Sequence, residues 1–174
     1  VHDELERLTR LLNELLSFAR PSSLTMVEHD VVAVVRQVME VERPLAMAKD
    51  VELALHGDGG AMPAEIDAGK VHQIVQNLVR NAIEAAPPGG HVKVALATTL
   101  TDLMIATSDD GPGIAPEIVA RIYEPFFSTK ESGTGMGMAI VHSLATQHGG
   151  VIDIASRPGA AAAIARLRAL GWTP

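Results

Sequence analysis

The sequence predicts one globular domain of mixed helix and strand, preceded by a helical appendage, and three observations carry that prediction. Apolar residues make up 47% and charged residues 20% of the 174 positions, proportions of a packed domain rather than of a disordered, collagen-like or disulfide-scaffold chain. The scaling of folded and extended surface with mass leaves about 8,200 Å² exposed of about 26,700 Å², so roughly 69% is buried, enough for one core. Segments of helical period and segments of alternating period also follow one another along the chain. The net charge of −7 includes no polybasic block, which argues against a wide nucleic-acid footprint or an anionic membrane surface as partner. Cysteine is absent. Disulfides, thiolate zinc sites and a cysteine nucleophile are therefore excluded, and a reducing compartment fits.

The chain opens Val1-His2-Asp3-Glu4, with neither the basic start nor the apolar run of a signal peptide. Residues 132–152 lack Asp, Glu, Lys and Arg, yet five glycines with Ser, Thr, Gln and His make the stretch too polar to cross hydrocarbon. No membrane span is expected in this chain.

Leu5, Leu8, Leu12, Leu15 and Ala19 recur at helical steps, and Leu11, Leu16 and Phe18 widen the stripe as in a bundle-forming helix. Pro21 ends it, and Pro21-Ser22-Ser23 reads as a hinge. So short a helix needs a partner helix, or a place on its own domain. A second helix is expected over residues 31–48, then a strand over Val51–Leu55 and a turn at Gly57-Asp58-Gly59-Gly60. Asp67 is placed to cap a third helix, whose apolar face is Val71, Ile74, Val75, Leu78, Val79, Ala82, Ile83 and Ala86. Pro87-Pro88-Gly89-Gly90 stops it. Its opposite stripe holds Gln73, Asn77, Asn81 and Glu84, three amides and a carboxylate in line. Amides are mediocre helix formers. A solvated face would accommodate them, and so would a binding site.

Val92–Ala97 and Leu103–Thr107 are expected as neighbouring strands, the second running into Ser108-Asp109-Asp110-Gly111-Pro112-Gly113-Ile114. Tyr123, Phe126 and Phe127 crowd into the next connection in a chain with 3% aromatics, which predicts a local mini-core beneath a loop. Gly133-Thr134-Gly135-Met136-Gly137 opens a helix expected to reach His148, and Val151–Ser156 and Ala160–Leu167 are the final strands. Free backbone N–H groups at that glycine-rich helix start suit an anion, phosphate above all. Neither familiar phosphate motif fits: Met138 stands where the dinucleotide fingerprint needs glycine, and Gly69-Lys70-Val71 lacks the Ser or Thr of a P-loop. The seven histidines show no metal-ligand spacing.

Taken in order, the segments NLVRNAIEA at 77–85, DDGPGI at 109–114, EPFFSTK at 124–130, GTGMGMAI at 133–140 and HGG at 148–150 form a specific series. It resembles the asparagine, first glycine, phenylalanine and second glycine boxes and the trailing glycines of the catalytic, ATP-binding domain of sensor histidine kinases, in the wider family shared with gyrase, Hsp90 and MutL ATPases. The resemblance covers residues 27–168, and Leu5–Pro21 is similar to the second helix of the dimerisation and phosphotransfer hairpin of those kinases. It implies three parts: a partial hairpin helix over 1–21, a hinge over 22–26 and the catalytic domain over 27–170. The implied fold is the two-layer α/β sandwich of the Bergerat type, a mixed sheet of about five strands covered on one face by three helices.

The same resemblance implies an ATP and Mg²⁺ site. Asn81 would ligate the Mg²⁺ bridging the phosphates, and Asn77 would line the site one turn earlier. Asp109 would accept from the adenine amino group while Gly111 and Gly113 let the backbone approach the base. Lys130, at the edge of a short lid, would meet the polyphosphate, and Gly133, Thr134, Gly135, Met136 and Gly137 would cradle it. Asn77, Asn81 and Lys130 are thus the implied catalytic residues. Three departures stand out. Met136 and Met138 replace leucines, a swap of similar volume. Ala160–Ile164 replaces the usual Gly-Thr-Thr-Phe ending, which is expected to loosen the last strand or its contact with the nucleotide. Asn77 stands where the related ATPases carry the glutamate that activates water, favouring phosphoryl transfer over hydrolysis.

The implied reaction is attack by a histidine nitrogen on the γ-phosphorus of ATP, with that histidine on a first hairpin helix expected to lie outside this chain. His2-Asp3-Glu4-Leu5 superficially resembles the acceptor box but lacks its proline. The implied partners are that helix, the receiver domain of a response regulator and a second copy in a homodimer. The implied location is cytoplasmic, with membrane anchoring of the parent protein left open. A nucleotide-binding regulatory module of the same fold, without transfer activity, is the competing reading.

Overall fold

The computed structural model describes Thr9, Leu12 and residues 23–57, 60–99, 102–130 and 133–168. Most of the expected N-terminal helix, and the start of the hinge, lie outside the described residues. Thr9 and Leu12 are both helical, and Leu12 is 58% exposed.

The elements are β1 (Val27–Asp30), α1 (Val31–Ala48), β2 (Glu52–His56), β3 (Pro63–Ile66), α2 (Ala68–Ala85), β4 (His91–Thr98), β5 (Asp102–Asp109), α3 (Pro116–Val119), α4 (Gly137–Gln147), β6 (Val151–Arg157) and β7 (Ala160–Arg168). Five strands form one sheet in the order β2-β4-β5-β7-β6. The β2–β4 pair is parallel and the other three pairs are antiparallel, so the sheet is mixed, as expected. Along β4 and β5, Val92, Val94, Leu103 and Ile105 are buried while the intervening Lys93, Met104 and Ala106 are exposed or partly so. That alternation means one face of the sheet is covered. The cover is α1, α2 and α4, whose Val35, Val38, Ile74, Leu78, Ile83, Val141 and Leu144 join the strand residues in one core. The two-layer sandwich is therefore the observed architecture.

Both long helices start on aspartate caps, because a short carboxylate can satisfy the free N–H groups of a first turn. Asp30 accepts from Val32 N at 3.0 Å and Asp67 from Lys70 N at 3.1 Å. Each cap also ties down a distant segment: Asp30 accepts from Met62 N at 2.9 Å, and Asp67 from Thr25 N at 3.0 Å. From Thr25 onward the chain is thus held to the domain. Between the caps β1 and β3 pair antiparallel as a separate two-stranded sheet, an element the sequence reading lacked. Every side chain of β1 is exposed or partly exposed, so it carries no apolar alternation to detect.

Candidate functional site

Where α2 runs past β5, the chain leaves a cavity of about 450 Å³, walled by both elements, by β7 and by the connection from Pro112 to Gly135. The polar stripe of α2 supplies one wall. Asn77 donates to Gln73 O at 2.9 Å, which fixes its amide. A Cβ on Gly137 would lie 3.0 Å from Asn77 Oδ1. Glycine there lets the N-terminus of α4, with its free N–H groups, approach the amide stripe. Asn81 and Glu84 follow on the same wall, and Gln73 is not part of it. Lys130 reaches across to both: its Nζ donates to Glu84 Oε2 at 2.5 Å and lies 3.5 Å from Asn81 Oδ1. Side chains 46 and 49 positions apart in the sequence are therefore brought together.

Asp109 ends β5 and also lines the cavity. Burial pushes its carboxyl above the ordinary aspartate range, opposed by the N–H of Gly111, reinforced by the neighbouring Asp110 charge and opposed again by Lys130. The Gly111 N–H donates to Asp109 Oδ1 at 2.9 Å. A Cβ at position 111 would fall 2.7 Å from Ala85 O, so only glycine lets this turn pass the end of α2. Gly113, with φ +84°, lines the cavity, whereas Gly111 is buried behind it. Ile114, Ile118, Ile122, Met138 and Ile154 make the apolar wall. Short α3 brings in Ile118.

Gly133, Thr134, Gly135 and Gly137 all line the cavity. Met136 does not: its side chain is 1% exposed in the core, and Met138 takes the lining position. The cradle expected to include Met136 can use only its backbone, whose N–H lies 3.3 Å from Thr134 Oγ1. The expected aromatic mini-core is also absent, because the three rings diverge. Tyr123 donates to Ile152 O at 3.1 Å, Phe127 lines the cavity beneath the Arg121 guanidinium, and Phe126 is 64% exposed with φ 67°. The alanine run does not loosen the last strand. β7 is continuous, pairing Ala161 with Asp109 and Ala163 with Thr107 on one side and both with β6 on the other.

Sequence reasoning missed two features. Glu42, 1% exposed on α1, accepts from Arg80 Nε at 3.0 Å, Arg80 Nη2 at 2.7 Å and Gln76 Nε2 at 2.9 Å. A charge on the buried stripe of Val35, Val38 and Ala46 was the available signal. Thr107, on the cavity floor, is 2% exposed and its Oγ1 has no protein hydrogen-bond partner. Such an unmet buried hydroxyl costs about 1–3 kcal/mol.

Residues 66–169 match the family described as histidine kinase-, DNA gyrase B- and HSP90-like ATPases. The chain belongs to that family. Sensor histidine kinase ZraS of Escherichia coli K12 is 31% identical over 156 residues, covering 90% of this chain and 34% of ZraS, so the chain spans about a third of that relative. Among solved structures, full-length ShkA in complex with AMPPNP is 29% identical with a TM-score of 0.86, over 96% of this chain and 37% of ShkA. The catalytic domain of histidine kinase ThkA is 27% identical with a TM-score of 0.77, over 83% of this chain and 96% of that one. ThkA in complex with the response regulator TrrA is 25% identical with a TM-score of 0.82, over 96% and 48%.

As a member of this ATPase family the chain has a site of the right size and chemistry for a nucleotide, since small-molecule pockets span about 300–1,000 Å³. Among the described residues no group of three or more His, Asp or Glu could hold a metal by itself. An amide oxygen such as that of Asn81 is a donor that suits Mg²⁺, which keeps most of its water and phosphate ligands and takes one or two from the protein. Among the described residues no helix is long and apolar enough to cross a membrane.

Proposed function

We propose that residues 27–170 form the catalytic domain of a two-component sensor histidine kinase, which moves the γ-phosphoryl group of ATP to a histidine on a helix outside this chain. The observation that carries this reading is the cavity itself, lined by a half-buried carboxylate, by amides and a cation, and by the N-terminus of a helix. Asp109 accepts from the adenine amine. Gly135 and Gly137 offer backbone N–H groups to the phosphates, with the positive end of α4 behind them, whereas the Gly133 N–H donates to Lys130 O at 3.2 Å and holds the turn that carries the lysine. Asn81, with Asn77 beside it, offers an amide oxygen to Mg²⁺, which when bound supplies charge neutralisation to the polyphosphate. Lys130 leaves Glu84 for the phosphate oxygens. The imidazole nitrogen of the partner helix forms a bond to phosphorus as the β,γ-bridging bond breaks, ADP departs, and the imidazole proton goes to solvent. Asn77 is no general base, so water is not activated in competition.

ShkA with AMPPNP and the kinase relatives support the nucleotide and the reaction, and ThkA with TrrA supports a receiver domain as the next acceptor. The parent protein is proposed as a cytoplasmic-facing homodimer paired through the hairpin that residues 1–21 continue, with 22–26 as its hinge. The test supplies labelled Mg-ATP and a separate polypeptide carrying the first hairpin helix. Acid-labile label should appear on that polypeptide, be lost with Asn81→Ala, and not appear on the chain alone. Label on His2, lost in His2→Ala, overturns the external acceptor. ATP binding without any transfer replaces the kinase with a regulatory module.

A further inference from the structure

β5 turns Leu103, Ile105 and Thr107 onto the helix-covered face, so a hydroxyl stands where the period calls for a third apolar residue. Buried hydroxyls nearly always find a partner. The Thr107 hydroxyl has none in the protein, and among the described residues it shares that condition with one other side-chain atom, His148 Nε2, which lies outside the cavity. Valine has the same shape and would fill the position without the cost.

Its surroundings explain a hydroxyl better than the core does. Thr107 and Asp109 are two apart on one strand, so their side chains emerge on the same face, about 7 Å apart along it. Opposite them in the β7 register stand Ala163 and Ala161, and the rest of the sheet floor is Ala162 and Ile154. Thr107 and Asp109 are therefore the polar groups of an otherwise apolar floor. An ionised carboxylate only accepts, whereas a hydroxyl can donate. An adenine ring presents both needs side by side: an amine that donates and, next to it, a ring nitrogen that accepts.

We propose that Thr107 is a purine-recognition residue, its hydroxyl meeting the ring nitrogen beside the amine that Asp109 holds, directly or through one water. Rotation about χ1 exchanges hydroxyl and methyl, so the strand need not move to present it. A bridging water would serve nearly as well as direct contact. The inference rests on the adenine-nucleotide reading of the cavity and names a second residue for it.

The experiment measures binding of ATP and of its 1-deaza analogue, in which that ring nitrogen is a C–H, to the wild-type chain, Thr107→Val and Thr107→Ser, with ligand-free melting temperatures alongside. Thr107→Val should bind ATP about three- to tenfold more weakly, the range of one neutral hydrogen bond. Thr107→Ser should stay near wild type, the 1-deaza analogue should not distinguish Val from Thr, and ligand-free Thr107→Val should melt no lower than wild type. Equal ATP affinity of wild type and Thr107→Val overturns the assignment while leaving ATP binding intact. An equal loss for both nucleotides makes the effect one of packing and also overturns it. A folded wild type that binds no adenine nucleotide instead removes the reading on which it rests.

Discussion

Two sides of helix α2 treat polar groups in opposite ways. On the side facing α1, buried Glu42 is closed off by the chain itself, with two hydrogen bonds from Arg80 and one from Gln76. On the side facing the sheet, Thr107 has no protein partner and Asp109 has one backbone donor and a carboxyl pushed up by burial. A folded chain can meet the needs of its interior polar groups, as the first side demonstrates. Leaving them unmet on the second is what a ligand site requires and what a core does not. Arg80 touches both, because its guanidinium holds Glu42 while the residue lines the cavity.

The closed side should respond most strongly to mutation. Arg80→Ala leaves Glu42 buried with Gln76 alone, which should lower stability by about 3 kcal/mol, near the low end for orphaning one member of a buried pair because Arg80 is partly exposed. Denaturant unfolding reads this directly. The open side should respond with the opposite pattern. Asp109→Ala should weaken ATP binding by about 1.5–3 kcal/mol, the value of a hydrogen bond to a charged group, while the ligand-free domain unfolds at the same or higher denaturant. If both variants simply unfold the domain, the two sides do not differ in kind.

A pH series sharpens the contrast. Asp109 must be ionised to accept from an amine, and its carboxyl lies above the ordinary aspartate range. Affinity is present above that raised value and is lost as pH falls through it, earlier than an unperturbed aspartate would allow. Stability carries the other sign: the folded state holds this proton more tightly than the unfolded chain, so ionisation of Asp109 opposes folding and acidification relieves it. The ATP-induced rise in melting temperature should therefore shrink on acidification, and Asp109→Asn should abolish that trend along with most of the rise.

The smallest expected effect is at the exposed pair of Lys130 and Glu84. Glu84→Gln should change stability by less than about 1 kcal/mol, as for surface ion pairs, and should tighten ATP binding slightly by freeing Lys130. Weaker binding would instead place Glu84 among the groups that hold the nucleotide or its metal.

Helices were the most legible elements because their periods are long and their caps local. The α1 and α2 expectations, Asp67 cap included, match the observed helices closely. The five sheet strands were legible from alternation, whereas β1 and β3 were not: each is four residues long, β1 buries no side chain fully, and β3 buries only Ala64 and Ile66, too short an alternation to detect. At the site, the amide stripe and the glycine segments were visible because both break a local rule. Thr107 was invisible because threonine is a normal strand residue. Its orphaned hydroxyl exists only once α2 and β7 have closed over it. Met136 erred in the other direction: it sits inside a glycine motif, yet its side chain belongs to the core. The aromatics of the phenylalanine segment likewise shared a stretch of sequence but no common environment.

Whether this cavity recognises adenine through Asp109 is decided by titrating the wild-type chain with Mg-ATP and Mg-GTP. A carboxylate accepts from the exocyclic amine of adenine and faces a repulsive carbonyl at the same position of guanine. ATP should bind about tenfold or more tightly than GTP, with the preference lost in Asp109→Ala. Equal affinity of the wild-type chain for both nucleotides would mean that Asp109 does not read the adenine amine.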